Sequence, residues 1–298
     1  MNMLRTTVVL ILVFSASASA RAQAPPRAGG AEAFVQRVRT GDVRAVRRML
    51  ARGADPNSES AKGAPAVVLA SRAGSATLVR LLLDAGANVN AEDRDQYTAL
   101  HYAARLGDAA LVELLLARGA DVNKRGYEDH TVLMFAMHGA NWVRMPRPLR
   151  ELILRDGEGE GYDLANLKRL GTPEAYRRVA ARLIKAGAEV NVTAGCGEVA
   201  LEFATCDVEL TKMLLAAGAR ADFEGVPLCP VAEGMQKKFT GSSAAEFDGK
   251  VLSRRERRVL ADSARRWAAE TAYESKEVRR LLVEAGATNL DCGDDDEQ

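Results

Sequence analysis

Histidine is the side chain best placed to move a proton near neutral pH, and the chain has three, His101, His130 and His138. His130 and His138 stand eight residues apart, a spacing that shares one side of a helix only if both positions are helical. Two imidazoles also need at least one further ligand before they hold a metal ion. The expectation is therefore no metal site, no cofactor and no catalytic residue, with a small-ligand or metal binder near His130 and His138 as an alternative. There is no phosphate loop, no G-x-G-x-x-G after a strand, no G-x-S-x-G and no H-E-x-x-H, so the chain is read as a non-enzyme. All four cysteines, Cys196, Cys206, Cys229 and Cys292, lie in the last third, and none has the spacing of a zinc or haem motif. An even number favours disulfides in an oxidising compartment, with three possible pairings. At opposite ends of one straight helix Cys196 and Cys206 would be about 15 Å apart, too far to bridge.

Arg254, Arg255, Arg257, Arg258, Arg265 and Arg266 form a dense cationic stretch that could bind phosphate or an acidic protein. Glu256, Asp262 and Glu270 are interspersed, which is the pattern of a solvated helix face. Across the chain 41 Lys and Arg balance 40 Asp and Glu, so no charge excess draws the protein to nucleic acid or an anionic membrane. The N-terminus carries Arg5, an apolar run from Val8 to Phe14 too short to span a bilayer, and an A-x-A site at Ala18 and Ala20. A signal peptide over residues 1–20 is expected, leaving a periplasmic or secreted protein with no stable membrane insertion; an uncut anchor is the other reading.

Aromatic residues make up only 5% of the chain, which suits small-residue helix packing better than a β-sandwich. The helices announce themselves by their endings: LARGADPN at Leu50 to Asn57, LDAGANVN at Leu83 to Asn90, LARGADVN at Leu116 to Asn123. Gly53, Gly86 and Gly119 are 33 residues apart, and further endings fall at Gly187, Gly218 and Gly286. Between them Thr98 opens a first helix with the small face Ala99, Leu100, Ala103 and Ala104, and Gly107 breaks it. Asp108 caps a second helix that buries Leu111, Val112, Leu114, Leu115 and Leu116 and ends at Gly119. The same cap recurs at Asp42, Ser75, Asp207 and Ser275.

Thr98-Ala99-Leu100-His101 resembles the T-P-L-H tetrad of ankyrin repeats, and the GA-x-x-N endings match that family's exit into a hairpin. Weaker tetrads are Pro65 to Val68, Thr131 to Met134 and Val199 to Glu202; Val226 to Cys229 comes early. The resemblance implies an all-α solenoid of about six to seven helix-turn-helix repeats with hairpin loops and two insertions. The expected organisation is a linker over 21–30, an array over 31–290 with an N-terminal cap repeat at 31–60, and an acidic disordered tail over 291–298. Residues 141–171 are an insertion or a degenerate repeat, with a worn extra repeat favoured; Thr172-Pro173-Glu174 starts the helix that follows. Residues 235–274 hold a helical insertion, with a capping box at Ser253 and Glu256, Leu260, Ala264, Trp267 and Thr271 on its packed side, and a loop over 241–249.

In such repeats a histidine at the position of His101 hydrogen-bonds across the repeat junction, and His130 falls in the turn before its tetrad. The family's binding surface is the hairpin tips and the open side of the first helices. Mapped onto this chain it implies Lys62, Arg72, Arg94, Asp95, Tyr97, Arg105, Tyr127, Glu128, His130 and His138, with Trp142 just beyond the fourth first helix. The function this implies is binding of a protein partner by an exported monomer, with an immunity or inhibitor protein as a second reading.

Overall fold

The computed structural model describes residues 28–148, 150–151, 169–195, 197–221, 246–247, 250–251 and 253–287. The expected signal peptide, acidic tail and early tetrad at 226–229 lie outside them, as do Cys196, Cys229 and Cys292. Helices pair along the chain: α1 (Ala28–Arg39) with α2 (Val43–Ala51), α3 (Ala66–Arg72) with α4 (Ala76–Asp84), and α5 (Ala99–Leu106) with α6 (Ala109–Ala117). The fourth pair is α7 (Val132–Arg144) and α8 (Pro173–Lys185), the fifth α9 (Ala200–Ala204) and α10 (Val208–Ala216). A single long helix, α11 (Arg254–Glu284), follows. The all-α solenoid expected from the sequence is the observed architecture. Helix α1 takes in residues 28–30, which were assigned to the linker.

The second helices start where their caps stand. Asp42 accepts from the Ala45 N–H, Ser75 from Leu78 and Asp108 from Leu111, each satisfying a donor that has no partner within the helix. They end at Gly53, Gly86, Gly119, Gly187 and Gly218, whose φ lies between 82° and 93°, a region an L side chain resists.

One side chain then ties each hairpin to the next. The Asn57 amide donates to the Gly86 carbonyl and accepts from the Asn88 N–H. Asn90 repeats this with Gly119 and Asp121, and Asn191 with Gly218 and Arg220. Asn123 makes the same two bonds 64 and 66 residues on, to Gly187 and Glu189.

That last bridge settles which helices are neighbours. Helix α8 packs on both α6 and α7, and Gly171 donates to the Leu106 carbonyl at 2.9 Å. Helix α8 therefore follows α6 directly among the second helices, and the fourth repeat pairs α7 with α8. Residues 152–168, within the expected insertion or degenerate repeat, lie outside those described.

Three further expectations change. Ser275 starts no helix, because α11 runs continuously through it; the helical insertion and the next second helix are fused. Leu260, Ala264 and Trp267 are buried on α11, as are Val278 and Leu282 nearer its end. Second, α9 is only five residues long, so no straight helix holds positions 196 and 206 apart. Third, within the expected loop Glu246–Phe247 pairs antiparallel with Lys250–Val251.

Candidate functional site

The first helices and hairpin tips line one side of the stack, and the repeat fixes which residues share a row. Arg72, Arg105 and His138 each stand seven residues after their helix caps, Pro65, Thr98 and Thr131. Ala64, Tyr97, His130 and Glu198 each stand immediately before a cap. These rows place the expected binding residues in three groups.

The first group is cationic. Lys62 and Arg72 line an open groove with Glu32 and Arg39. Arg94 is exposed and reaches back to the Ala61 carbonyl at 3.4 Å.

The second group is aromatic, and it is more deeply packed than the sequence implies. The Tyr97 ring lies 4.6 Å from Phe135 and 5.4 Å from His101, and edge-on to Tyr102 at 6.3 Å. Its other limit is Gly126, where an added Cβ would fall 2.2 Å from the ring. Burial and then Asp95 push the Tyr97 phenol up to about 12. The Arg105 guanidinium sits 5.2 Å over Tyr102 and 5.6 Å over Phe135, and Arg72 lies 5.9 Å from Tyr102. Tyr102 also donates to Asp93 at 2.6 Å. Tyr97 and Arg105 therefore hold adjacent repeats together, whereas Tyr127 projects from its hairpin, 58% exposed.

Backbone bonds carry the tips from one repeat to the next: Tyr127 donates to the Asp95 carbonyl and Gly195 to the Glu128 carbonyl. Asp95 and Glu128 thus serve through their carbonyl oxygens while their side chains face solvent.

The third group is imidazole and carboxylate. His130 follows a short 3-10 turn (Tyr127–Asp129) and is not helical, yet its ring lies 6.1 Å from that of His138 in α7. A shared helix was thus not needed to bring them together. Glu198 joins them from the next hairpin, its Oε2 3.7 Å from His130 Nε2. The sequence reading missed Glu198, although it precedes Val199 as His130 precedes Thr131. His138 packs on Phe203 at 4.1 Å, its Nε2 is buried without a hydrogen-bond partner, and burial lowers its pKa to about 4. Trp142 lies inside α7, one turn past His138 and half-buried, not beyond the helix.

His101 is separate from this group and fully buried. Its Nδ1 accepts from the Thr98 N–H at 3.1 Å, and desolvation depresses its pKa to about 4 despite the nearby backbone of His130 and Lys124. It faces the next hairpin, but its Nε2 is buried without a hydrogen-bond partner, so the bond expected across the repeat junction is not formed. Glu202 repeats the back-bond in the fifth repeat, accepting from the Val199 N–H.

Residues 34–126 match the family model of ankyrin repeats, in three copies. No curated protein is significantly similar to the chain. The match runs from within α1 to the turn after α6, and the Asn bridges, caps and glycines extend the same ankyrin geometry to Ala221. Ankyrin repeats in general mediate protein–protein interaction and are typically non-enzymatic. No helix among the described residues is long and apolar enough to cross a membrane.

Proposed function

We propose that this ankyrin array is an exported binding module that holds a protein partner against its hairpin tips and first helices. The observation that carries the reading is the composition of that strip: an exposed tyrosine, Tyr127, and an exposed arginine, Arg94, on neighbouring hairpins of a scaffold whose tips are bonded to one another. Aromatic and arginine side chains are the usual anchors of protein interfaces because they combine large contact area with hydrogen bonding. A pre-bonded tip row loses little freedom on binding, so more of the contact energy appears as affinity. The apolar run and A-x-A site near the N-terminus support export. A disulfide at the buried Cys206 belongs to the same reading, because such bonds persist in oxidising compartments.

Affinity capture with the full chain tests this, set against a variant carrying Arg94→Ala and Tyr127→Ala. Both side chains are exposed at hairpin tips, so the variant should keep its circular dichroism and melting temperature. The reading expects a partner retained by the first protein and lost by the second. Equal retention by both would move the binding surface elsewhere.

A further inference from the structure

We infer that His130, His138 and Glu198 form a site for a divalent transition-metal ion of the zinc type, built across the junction of the fourth and fifth repeats. One ligand atom from each lies within 4.8 Å of the other two. Nδ1 of His130 is 3.0 Å from the Tyr127 carbonyl oxygen, which can only accept, so the proton sits on Nδ1. In the neutral ring the Nε2 lone pair then faces Oε2 of Glu198 at 3.7 Å. Nε2 of His138, buried and without a hydrogen-bond partner, completes the group.

Three electron-pair donors converge, and the buried Nε2 of His138 is left without a hydrogen-bond partner, a cost that a cation bound there would remove. A histidine that gives its second N–H to a backbone carbonyl is the usual form of a metal-ligating imidazole, since that bond fixes the ring and raises its basicity. Two imidazoles and one carboxylate suit zinc, with a further coordination position for water or a partner's side chain. Donors around a tetrahedral zinc at bond lengths of about 2.0–2.2 Å are about 3.4 Å apart, so the widest edge of the group must close by no more than about 1.4 Å. His130 and Glu198 lie on hairpin tips, so rotation about their side-chain bonds can supply this.

The full chain, stripped of metal with EDTA, would be titrated with zinc against a chromophoric chelator and, separately, with cobalt(II). One equivalent of zinc should leave the chelator and raise the melting temperature, and cobalt should give the visible absorption of a four- or five-coordinate ion. Glu198→Gln, His130→Gln and His138→Gln should each weaken zinc binding at least about 100-fold, beyond what loss of an outer hydrogen-bond partner costs. Glu198 is only partly buried on a hairpin, so Glu198→Gln reads metal binding without disturbing the core. Failure of the wild-type chain to bind zinc would overturn the site and leave a His130–Glu198 ion pair. Zinc bound equally by the wild type and by Glu198→Gln and His130→Gln would overturn it too, placing the ion elsewhere.

Discussion

Asp108 and Asp207 hold the same position in the third and fifth repeats, and they do different work. Asp108 is partly exposed and accepts one N–H, from Leu111. Asp207 is 1% exposed; it accepts from Glu209 and Leu210 and also receives Arg144 at 3.0 Å and Arg177 at 3.1 Å. In the uninterrupted repeats, local caps and the Asn bridges suffice to align one unit with the next. Where a long segment separates α7 from α8, the helices of the fourth repeat need contacts of their own, and Asp207 gathers α7, α8 and α10 onto one buried carboxylate. Tyr176 adds another, fully buried and donating to the Arg105 carbonyl at 2.8 Å.

The sharpest way to break this comparison is to remove both carboxylates in turn. Asp207→Ala takes the shared counter-charge from two guanidiniums and uncaps α10, which should cost about 3–5 kcal/mol. Asp108→Ala should cost about 1 kcal/mol, the ordinary value of a cap. Urea unfolding of the two variants measures the gap, and equal losses would show that the junction is no more specialised than the regular repeats.

What could be read from the sequence follows the same division. The caps at Asp42, Ser75, Asp108 and Asp207 and the closing glycines were legible because each is local, a residue type that one turn of helix demands. The double role of Asp207 was not, since Arg144 and Arg177 reach it from 63 and 30 residues away. Tyr97 was legible as a surface residue of its hairpin but not as the spacer between repeats, because that depends on Gly126 of the next unit. Glu198 escaped for the same reason: it meets His130 only after stacking. Ser275 misled because a cap residue cannot announce that the helix before it never stops.

Gly139→Ala comes next in size. Its Cβ would lie 2.4 Å from the Arg105 carbonyl oxygen and 2.4 Å from the Tyr176 ring, so the α5–α7–α8 contact must open, at a cost of about 1–3 kcal/mol. Gly30→Ala, where an added Cβ meets nothing, is the control expected to leave stability unchanged or slightly raised. Thermal melts of both variants make the test.

Asn90→Ala and Asn123→Ala remove the same exposed pair of bonds, one between uninterrupted repeats and one across the segment that joins α7 to α8, and each should cost about 1 kcal/mol. Hydrogen exchange would sharpen the comparison, with protection falling at Gly119 to Asp121 in the first variant and at Gly187 to Glu189 in the second. The smallest effect is expected of Arg118→Ala, which breaks an exposed inter-repeat ion pair to Asp84 at 2.9 Å. It should change the unfolding midpoint by less than about 0.5 kcal/mol equivalent, since solvent screens such pairs.

The central functional claim is that partners are held on the face of hairpin tips and first helices, and site-specific photo-crosslinking tests it most directly. A benzophenone side chain would be placed at Arg94 or Tyr127 on that face, and at Arg80 or Lys185 on the second helices, all exposed positions. Adducts with the same partner from the first two positions and none from the last two are the predicted result. Adducts only from Arg80 and Lys185 would contradict the account and place the binding surface on the opposite side of the array.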